Sequence, residues 1–326
     1  MKEIGLEGQR KLLEKSVAVV GCGALGTNAA NLLARMGVGR LKLIDRDYVE
    51  LDNLHRQILY GEADAERRLP KAIAAAERLR KVNSRIKIEA VVEDVNHKNV
   101  EKLIEDVDLI LDGTDNFETR FILNDAAVKL GKKWIFASAL ATYGMTMNII
   151  PGKSACLRCL MPNPPPLGSL PTCETIGILP SLVTVISSVQ VTEALKILME
   201  RNYSFNKLFV ADVWRREFSE INVKRRKDCP TCVKGEFDFL HGKGIRSMIL
   251  CGRNAVQVRP ERRMEVNLKS LYERLKNIGE AYFNGFTVYF KLNDKEVTVF
   301  SDGRAIIKGT NDIKVAKSIC SRFIGV

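Results

Sequence analysis

Residues 16–26 read Ser-Val-Ala-Val-Val-Gly-Cys-Gly-Ala-Leu-Gly, a short apolar run that ends in a glycine turn and opens into an apolar-periodic stretch from Leu25 to Met36. A run of β-branched and small residues bounded by glycine favours a buried strand, and the helical spacing after it favours an amphipathic helix. Strand, tight turn and helix in that order start a doubly wound sheet. Gly21, Gly23 and Gly26 let backbone approach a phosphate closely, and the helix N-terminus behind them favours an anion.

Reading outward, the alternation persists. Leu41–Ile44 is a second strand ending at Asp45, which is placed to accept hydrogen bonds from ribose hydroxyls. A basic helix is expected over Lys71–Val82, a strand over Ile86–Val92, a helix over Asn99–Asp106, a strand over Val107–Leu111, a helix over Phe117–Leu130 and a strand over Trp134–Ala137. Strands that alternate with helices predict a largely parallel sheet covered on both faces, with ligands at the carboxyl ends of its strands. Beyond it come a strand at Thr146–Ile150, a Pro-rich loop or crossover over Met161–Pro171, a long apolar helix over Leu179–Met199, and strands at Lys207–Asp212 and Phe218–Val223.

The Gly-containing polar stretch Lys234–Lys243 reads as a linker. After it, one strand (Arg246–Val258), a helix (Leu268–Ile278), strands at Thr287–Leu292, Glu296–Phe300 and Ala305–Lys308 and a final helix make a small unit. The expected fold is α/β: a Rossmann-like, mostly parallel sheet with an antiparallel extension and a zinc site over residues 1–236, and a small C-terminal α+β domain over 244–326.

Composition narrows the class. The chain has 326 residues and 46% hydrophobic content, enough to bury a full core. The opening MKEIGLEGQRKLLEK lacks an apolar signal-peptide region, and the longest apolar stretch, Ile178–Val189, is interrupted by Pro, Thr and Ser. A soluble, cytoplasmic protein with no membrane segment is expected. A net charge of +12 would attract nucleotides, an acidic protein partner or RNA; direct nucleic-acid binding is not predicted. Eight cysteines in a chain expected to stay reduced make paired Cys-x-x-Cys spacings a sign of metal.

The glycine turn and its downstream acid fit NAD as well as ATP. Asp52-Asn53-Leu54-His55-Arg56-Gln57 and Lys71 tilt the balance, because cations stabilise the charge that develops during triphosphate chemistry and a dehydrogenase has less use for them. His55 reads as positional. Asp112-Gly113-Thr114-Asp115-Asn116-Phe117-Glu118-Thr119-Arg120 follows a strand, so Asp115 either offers carboxylate oxygens to Mg2+ or caps the next helix. Cys156, Cys159, Cys229 and Cys232 form two chelating pairs, a donor set suited to tetrahedral structural zinc, with free thiols or an iron–sulfur cluster as competing accounts.

Taken together, these motifs resemble those of the ThiF/MoeB/HesA family of ubiquitin-activating-type enzymes, in matching order over residues 5–232. The resemblance implies an adenylyltransferase that uses ATP and Mg2+ to activate the terminal glycine of a ubiquitin-like sulfur carrier protein ending in Gly-Gly. By the same resemblance, Asp45 binds ribose, Asn53, Arg56 and Lys71 bind ATP and Asp115 binds magnesium. The expected cofactor set also takes in Gly21, Gly23 and Gly26 of the glycine turn, Asp47, Gln57 and Asn116. Cys173 occupies the position where relatives carry a cysteine that bonds to the carrier or receives sulfur from a persulfide donor. A homodimer is also implied. Cys22, Cys251 and Cys320 read as packing residues.

Two departures from the family pattern stand out. Many relatives place an Arg-Tyr-x-Arg-Gln segment before the stretch that is Ile4–Gln9 here, and its arginine reaches the neighbouring subunit's ATP; the expectation is an upstream start or a substitute such as Arg10. The C-terminal domain is unlike the rhodanese-like domain of some relatives, Cys251-Gly252-Arg253-Asn254 resembles a tail seen in others, and residues 244–326, with the basic stretch Arg259–Arg263, are expected to dock a partner. The alternatives are an NAD-dependent oxidoreductase and an inactive carrier-binding scaffold. Thiamine, molybdopterin, transfer-RNA thiolation and protein conjugation would share such a site.

Overall fold

The structure, a computed structural model, describes residues 1–166, 173–242, 249–250, 254–260 and 264–324, of which 173, 174, 249 and 250 are described by their backbone alone. The expected Cys251-Gly252-Arg253 segment, most of the Arg259–Arg263 stretch and part of the Pro-rich loop lie outside the described residues. The chain forms two compact units: Met1–Glu66 with Pro70–Ile245, and Arg67–Leu69 with Arg246–Val326.

In the first unit the elements run α1 (Gly5–Glu14), β1 (Ser16–Val20), α2 (Ala24–Arg35), β2 (Arg40–Ile44), α3 (Glu62–Glu66), α4 (Lys71–Val82), β3 (Lys87–Val91), α5 (Val100–Ile104), β4 (Leu109–Asp112), α6 (Phe117–Lys129), β5 (Lys133–Leu140), β6 (Tyr143–Ile149), α7 (Leu157–Leu160), α8 (Cys173–Ile176), α9 (Pro180–Leu198), β7 (Lys207–Asp212) and β8 (Glu217–Asn222). The sheet order is β3-β2-β1-β4-β5-β6-β7-β8. The first five strands are parallel and the last three antiparallel, as expected. Order reverses between β1 and β4, so the crevice beyond their carboxyl ends is where such a sheet takes a ligand.

Burial explains the sequence patterns. Val17 to Val20 are all buried, the mark of a strand covered on both faces. In β2, Lys42 is buried too; its ammonium donates to the Leu103 carbonyl at 3.2 Å and to Asp106 at 2.5 Å, which satisfies the charge. Along α6, Thr119 to Ala127 are all buried, so the helix shows no polar face. Among the described residues one helix, α9, is long and apolar enough to cross a membrane. Its Gln190 donates to the carbonyls of Asp112 and Ile135 at 2.9 and 3.1 Å and its Ser187 to the Leu25 carbonyl at 3.1 Å, contacts of a core helix against the sheet and α2.

The second unit carries a six-stranded antiparallel sheet, β11-β12-β13-β14-β10-β9. Its elements are β9 (Ile249–Leu250), β10 (Ala255–Val258), α10 (Leu268–Leu275), β11 (Ala281–Phe283), β12 (Thr287–Leu292), β13 (Lys295–Phe300), β14 (Ala305–Lys308) and α11 (Ile313–Phe323). Where one strand was expected over 246–258 there are two, paired Val256 to Ile249, and α10 stops three residues before Ile278. Val256, Val258, Val288, Val297, Leu271 and Ile319 share a core. Within this unit Arg68 lies over the Tyr289 ring at 3.8 Å and pairs with Glu296 at 3.2 Å.

Candidate active site and metal centre

The glycine turn after β1 is built by close packing. Gly21 has φ +90°, and a Cβ there would sit 2.5 Å from the Gly113 carbonyl oxygen; one on Gly26 would sit 1.8 Å from that of Gly21. Both glycines are therefore demanded by the fold itself. Gly23 is different: the nearest atom to an added Cβ is 3.9 Å away, so its bare backbone leaves space at the N-terminus of α2. That helix end has no side-chain cap, which suits an anion.

Asp45 anchors the turn. Its carboxylate accepts the Cys22 N–H at 2.6 Å and the Asp47 N–H at 2.7 Å, and the Lys71 N–H donates to the Asp47 carbonyl at 2.8 Å. Burial raises the Asp45 pKa, opposed by the Lys71 ammonium. The Lys71 Nζ lies 3.8 Å from Asp47 Oδ2 and is itself buried. Cys22 is fully enclosed and burial, with Asp45 beside it, pushes its thiol well up, so it is an inert packing residue.

On the turn 51–60, Asn53 and Gln57 are each 3% exposed, and their oxygens Oδ1 and Oε1 have no hydrogen-bond partner among the described residues. Two buried acceptors without donors fit the amino and hydroxyl groups of a nucleoside. Arg56 curls back so that its guanidinium donates to the Asp52 carbonyl at 3.0 Å, with no carboxylate partner among the described residues. His55 Nδ1 sits 3.0 Å from that same carbonyl.

At the end of β4, buried Asp112 accepts the Thr114 N–H at 2.9 Å and the Arg120 Nε–H at 3.0 Å, while Arg120 also donates to the carbonyls of Thr114 and Ala137 at 2.7 and 3.0 Å. Asp115, just beyond this knot, is exposed. The cap of α6 is Asn116, which accepts the Thr119 N–H at 2.9 Å. Asp115 is thus no cap, and Asn116 has a structural role.

The four cysteines converge. The Sγ atoms of Cys156, Cys159, Cys229 and Cys232 lie within 4.8 Å of one another, with Cys156–Cys229 at 3.6 Å and Cys159–Cys232 at 3.5 Å. A zinc ion with four Zn–S bonds of about 2.3 Å spaces its sulfurs ~3.8 Å apart, so the donor set fits closed, tetrahedral zinc. Hydrogen bonds with Cys156 and Cys232 hold the Cys159 thiol low, and those with Cys159 and Cys232 drive Cys156 up. The Arg226 N–H points at Cys159 Sγ from 3.4 Å. Both knuckles hang from α6: Asn124 accepts the Leu157 N–H at 2.8 Å, and Asp125 accepts the Thr231 hydroxyl at 2.8 Å and the Phe239 N–H at 3.0 Å. Burial raises the Asp125 pKa against those bonds.

With that geometry in place, residues 1–231 match the model of the ThiF family. The chain belongs to the ThiF family. It is 42% identical over 326 residues to the sulfur carrier protein ThiS adenylyltransferase of Bacillus subtilis, covering 99% of this chain and 96% of that one. It is 35% identical over 241 residues to the SAMP-activating enzyme E1 of Haloferax volcanii, covering 74% and 88%. Among solved structures, E. coli MccB with ATP shares the fold at a TM-score of 0.62 and 22% identity, covering 70% of this chain and 69% of that one.

Within this ThiF-family chain, hydrogen bonds join the glycine turn 21–26 to Asp45, Asp47 and Lys71, while Asn53, Arg56 and Gln57 lie on the turn 51–60 and Asp115 follows β4. The backbone of Cys173 opens the short helix α8; its side chain lies outside the described residues. Arg10 is exposed on α1. Sequence reading missed Arg46, which pairs with Asp94 at 3.0 Å and Asp47 at 3.8 Å, and Asn124 and Asp125 behind the cysteine knuckles. Arg46 had a signal, its place between two aspartates; the α6 pair had only its polarity inside an apolar helix.

Proposed function

We propose that this chain uses ATP to adenylate the C-terminal glycine of a ubiquitin-like sulfur carrier, of the ThiS type. The observation that carries this reading is a pair of buried acceptors without donors, Asn53 Oδ1 and Gln57 Oε1, together with a buried Lys71 whose ammonium has Asp47 beside it at 3.8 Å. The choice of carrier rests on the B. subtilis relative, whose similarity runs through the C-terminal unit.

In this reading Asp45 and Asn53 face the ribose and the helix N-terminus of α2 faces the phosphates. A carrier carboxylate oxygen bonds to the α-phosphorus as the bond to the β-phosphate oxygen breaks, leaving acyl-adenylate and pyrophosphate. Lys71 and Arg56 orient the triphosphate and offset the charge gathering on the departing group. Asp115 would hold Mg2+, which when bound would supply further neutralisation of that charge. The carboxylate arrives ionised, so no base is needed.

Zinc at the four cysteines is structural, because all four positions are protein thiolates. Cytoplasmic placement agrees with the reduced thiols such a site needs. A homodimer, and a role for Cys173 in receiving sulfur or carrier, complete the proposal. The oxidoreductase and inactive-scaffold alternatives find no support in these relatives, whose names are those of activating enzymes and adenylyltransferases. ATP–pyrophosphate exchange, run with zinc-loaded protein and each Gly-Gly-ending carrier of its organism, tests the reading. Exchange dependent on one carrier is expected; exchange with none sinks it.

A further inference from the structure

Tyr60 lies outside every motif read from the sequence, yet it completes the site. The residue is buried, and its hydroxyl lies 2.8 Å from the Cys22 carbonyl and 3.1 Å from the Lys71 carbonyl. A phenol has one proton to give, so that proton is shared between two acceptors. The first belongs to the glycine turn and the second to the opening residue of α4, the helix that begins with Lys71. Burial, with the negative side chains of the neighbourhood adding to it, raises the Tyr60 pKa well above the ordinary phenol value, so the group stays a donor.

A buried phenol that merely satisfied itself would take any carbonyl at hand. Here the same two segments are already joined by a second route: Cys22 N–H to Asp45, Asp47 N–H to Asp45, and Lys71 N–H to the Asp47 carbonyl. Tyr60 closes this path into a ring. Glycine turn, ribose-facing acid and phosphate-facing lysine are thereby fixed against one another from both sides.

We propose that Tyr60 is a positioning residue for nucleotide: its hydroxyl sets the spacing between the glycine turn and Lys71, and through that spacing the affinity for ATP. The inference rests on the adenylation reading above. It places no contact between Tyr60 and substrate.

The test compares Tyr60→Phe with Leu59→Ala in the full-length, zinc-loaded protein. Leu59 is a buried neighbour that makes no such bridge, and its truncation reports loss of packing alone. Calorimetric titration with Mg-ATP in the absence of carrier gives Kd, and pyrophosphate exchange gives the carrier KM. Losing one bridging hydrogen bond is expected to weaken ATP about five- to tenfold in Tyr60→Phe, with carrier KM within twofold of wild type. Leu59→Ala should lower the melting temperature and leave Kd within twofold. Parallel shifts in the two variants, or an unchanged Kd in Tyr60→Phe beside firm wild-type binding, would overturn the inference alone. Wild-type protein that does not bind Mg-ATP would overturn the adenylation reading and this inference with it.

Discussion

Asp115 and Asn116 are adjacent, similar in size and both good helix caps, yet the backbone separates their work. Asn116 sits at φ −137° and ψ 148°, the extended geometry of an N-cap, and its oxygen takes the Thr119 N–H. Asn116→Ala should therefore cost about 1 kcal/mol of stability in chemical denaturation while exchange activity survives. Asp115→Ala should do the reverse, cutting pyrophosphate exchange by about a hundredfold or more with little change in melting temperature. Equal losses of activity in both would refute the division. From the string Asp-Asn alone the two roles were interchangeable, because either side chain satisfies an orphan N–H. The glycines behave alike: spacing marked Gly21, Gly23 and Gly26 as one motif, but only three-dimensional packing tells that Gly21 answers to Gly113, Gly26 to Gly21, and that an added Cβ on Gly23 would meet nothing closer than 3.9 Å.

Among elements, α6 links the two centres. Its N-terminus follows Asp115 and its middle holds both cysteine knuckles through Asn124 and Asp125. Asp125→Ala leaves a buried hydroxyl and a buried N–H without acceptor, at a cost of about 1–3 kcal/mol for each group. The expected outcome is a lower melting temperature and faster zinc loss to a chromogenic chelator; unchanged release would remove α6 from the support of the metal. Stripping zinc should lower the melting temperature of wild type, more readily as pH falls, since protons compete for the thiolates. The strand–helix alternation was legible because apolar periodicity reports burial directly, whereas the Asn124–Asp125 anchor was not, since its partners lie 33 to 114 residues away. A second element-scale effect belongs to β2. Partial burial opposes ionisation of Asp106, but hydrogen bonds from Lys42 and Arg40 outweigh it and bring its pKa down to about 2. A carboxylate lowered on folding contributes stability above its unfolded pKa of about 4 and loses it as pH falls toward 2. Asp106→Asn should flatten the melting-temperature profile over that window and leave buried Lys42 short of its partner at neutral pH.

At the scale of the whole molecule, two cores coexist and the chain crosses between them more than once, because residues 67–69 belong with 246–326. The polar, Gly-containing stretch Lys234–Lys243 reads as a linker in the sequence, yet Phe239 and Leu240 within it pack into the core of the first unit, which runs to Ile245; the excursion at 67–69 has no mark either, since no composition shift marks a segment that only tertiary packing recruits. Net charge acts on this scale as well. At +12 the molecule sets up a field that would reach an acidic partner before any contact forms. With a Debye length of about 10 Å at 0.1 M salt, that field is largely screened at a few hundred millimolar. If carrier is gathered by long-range attraction, raising salt from about 50 to 500 mM should slow association at least severalfold in stopped flow while dissociation changes little. A salt-independent association rate with an acidic carrier would mean instead that recognition begins only at contact, where the surplus of lysine and arginine has no part in choosing the partner.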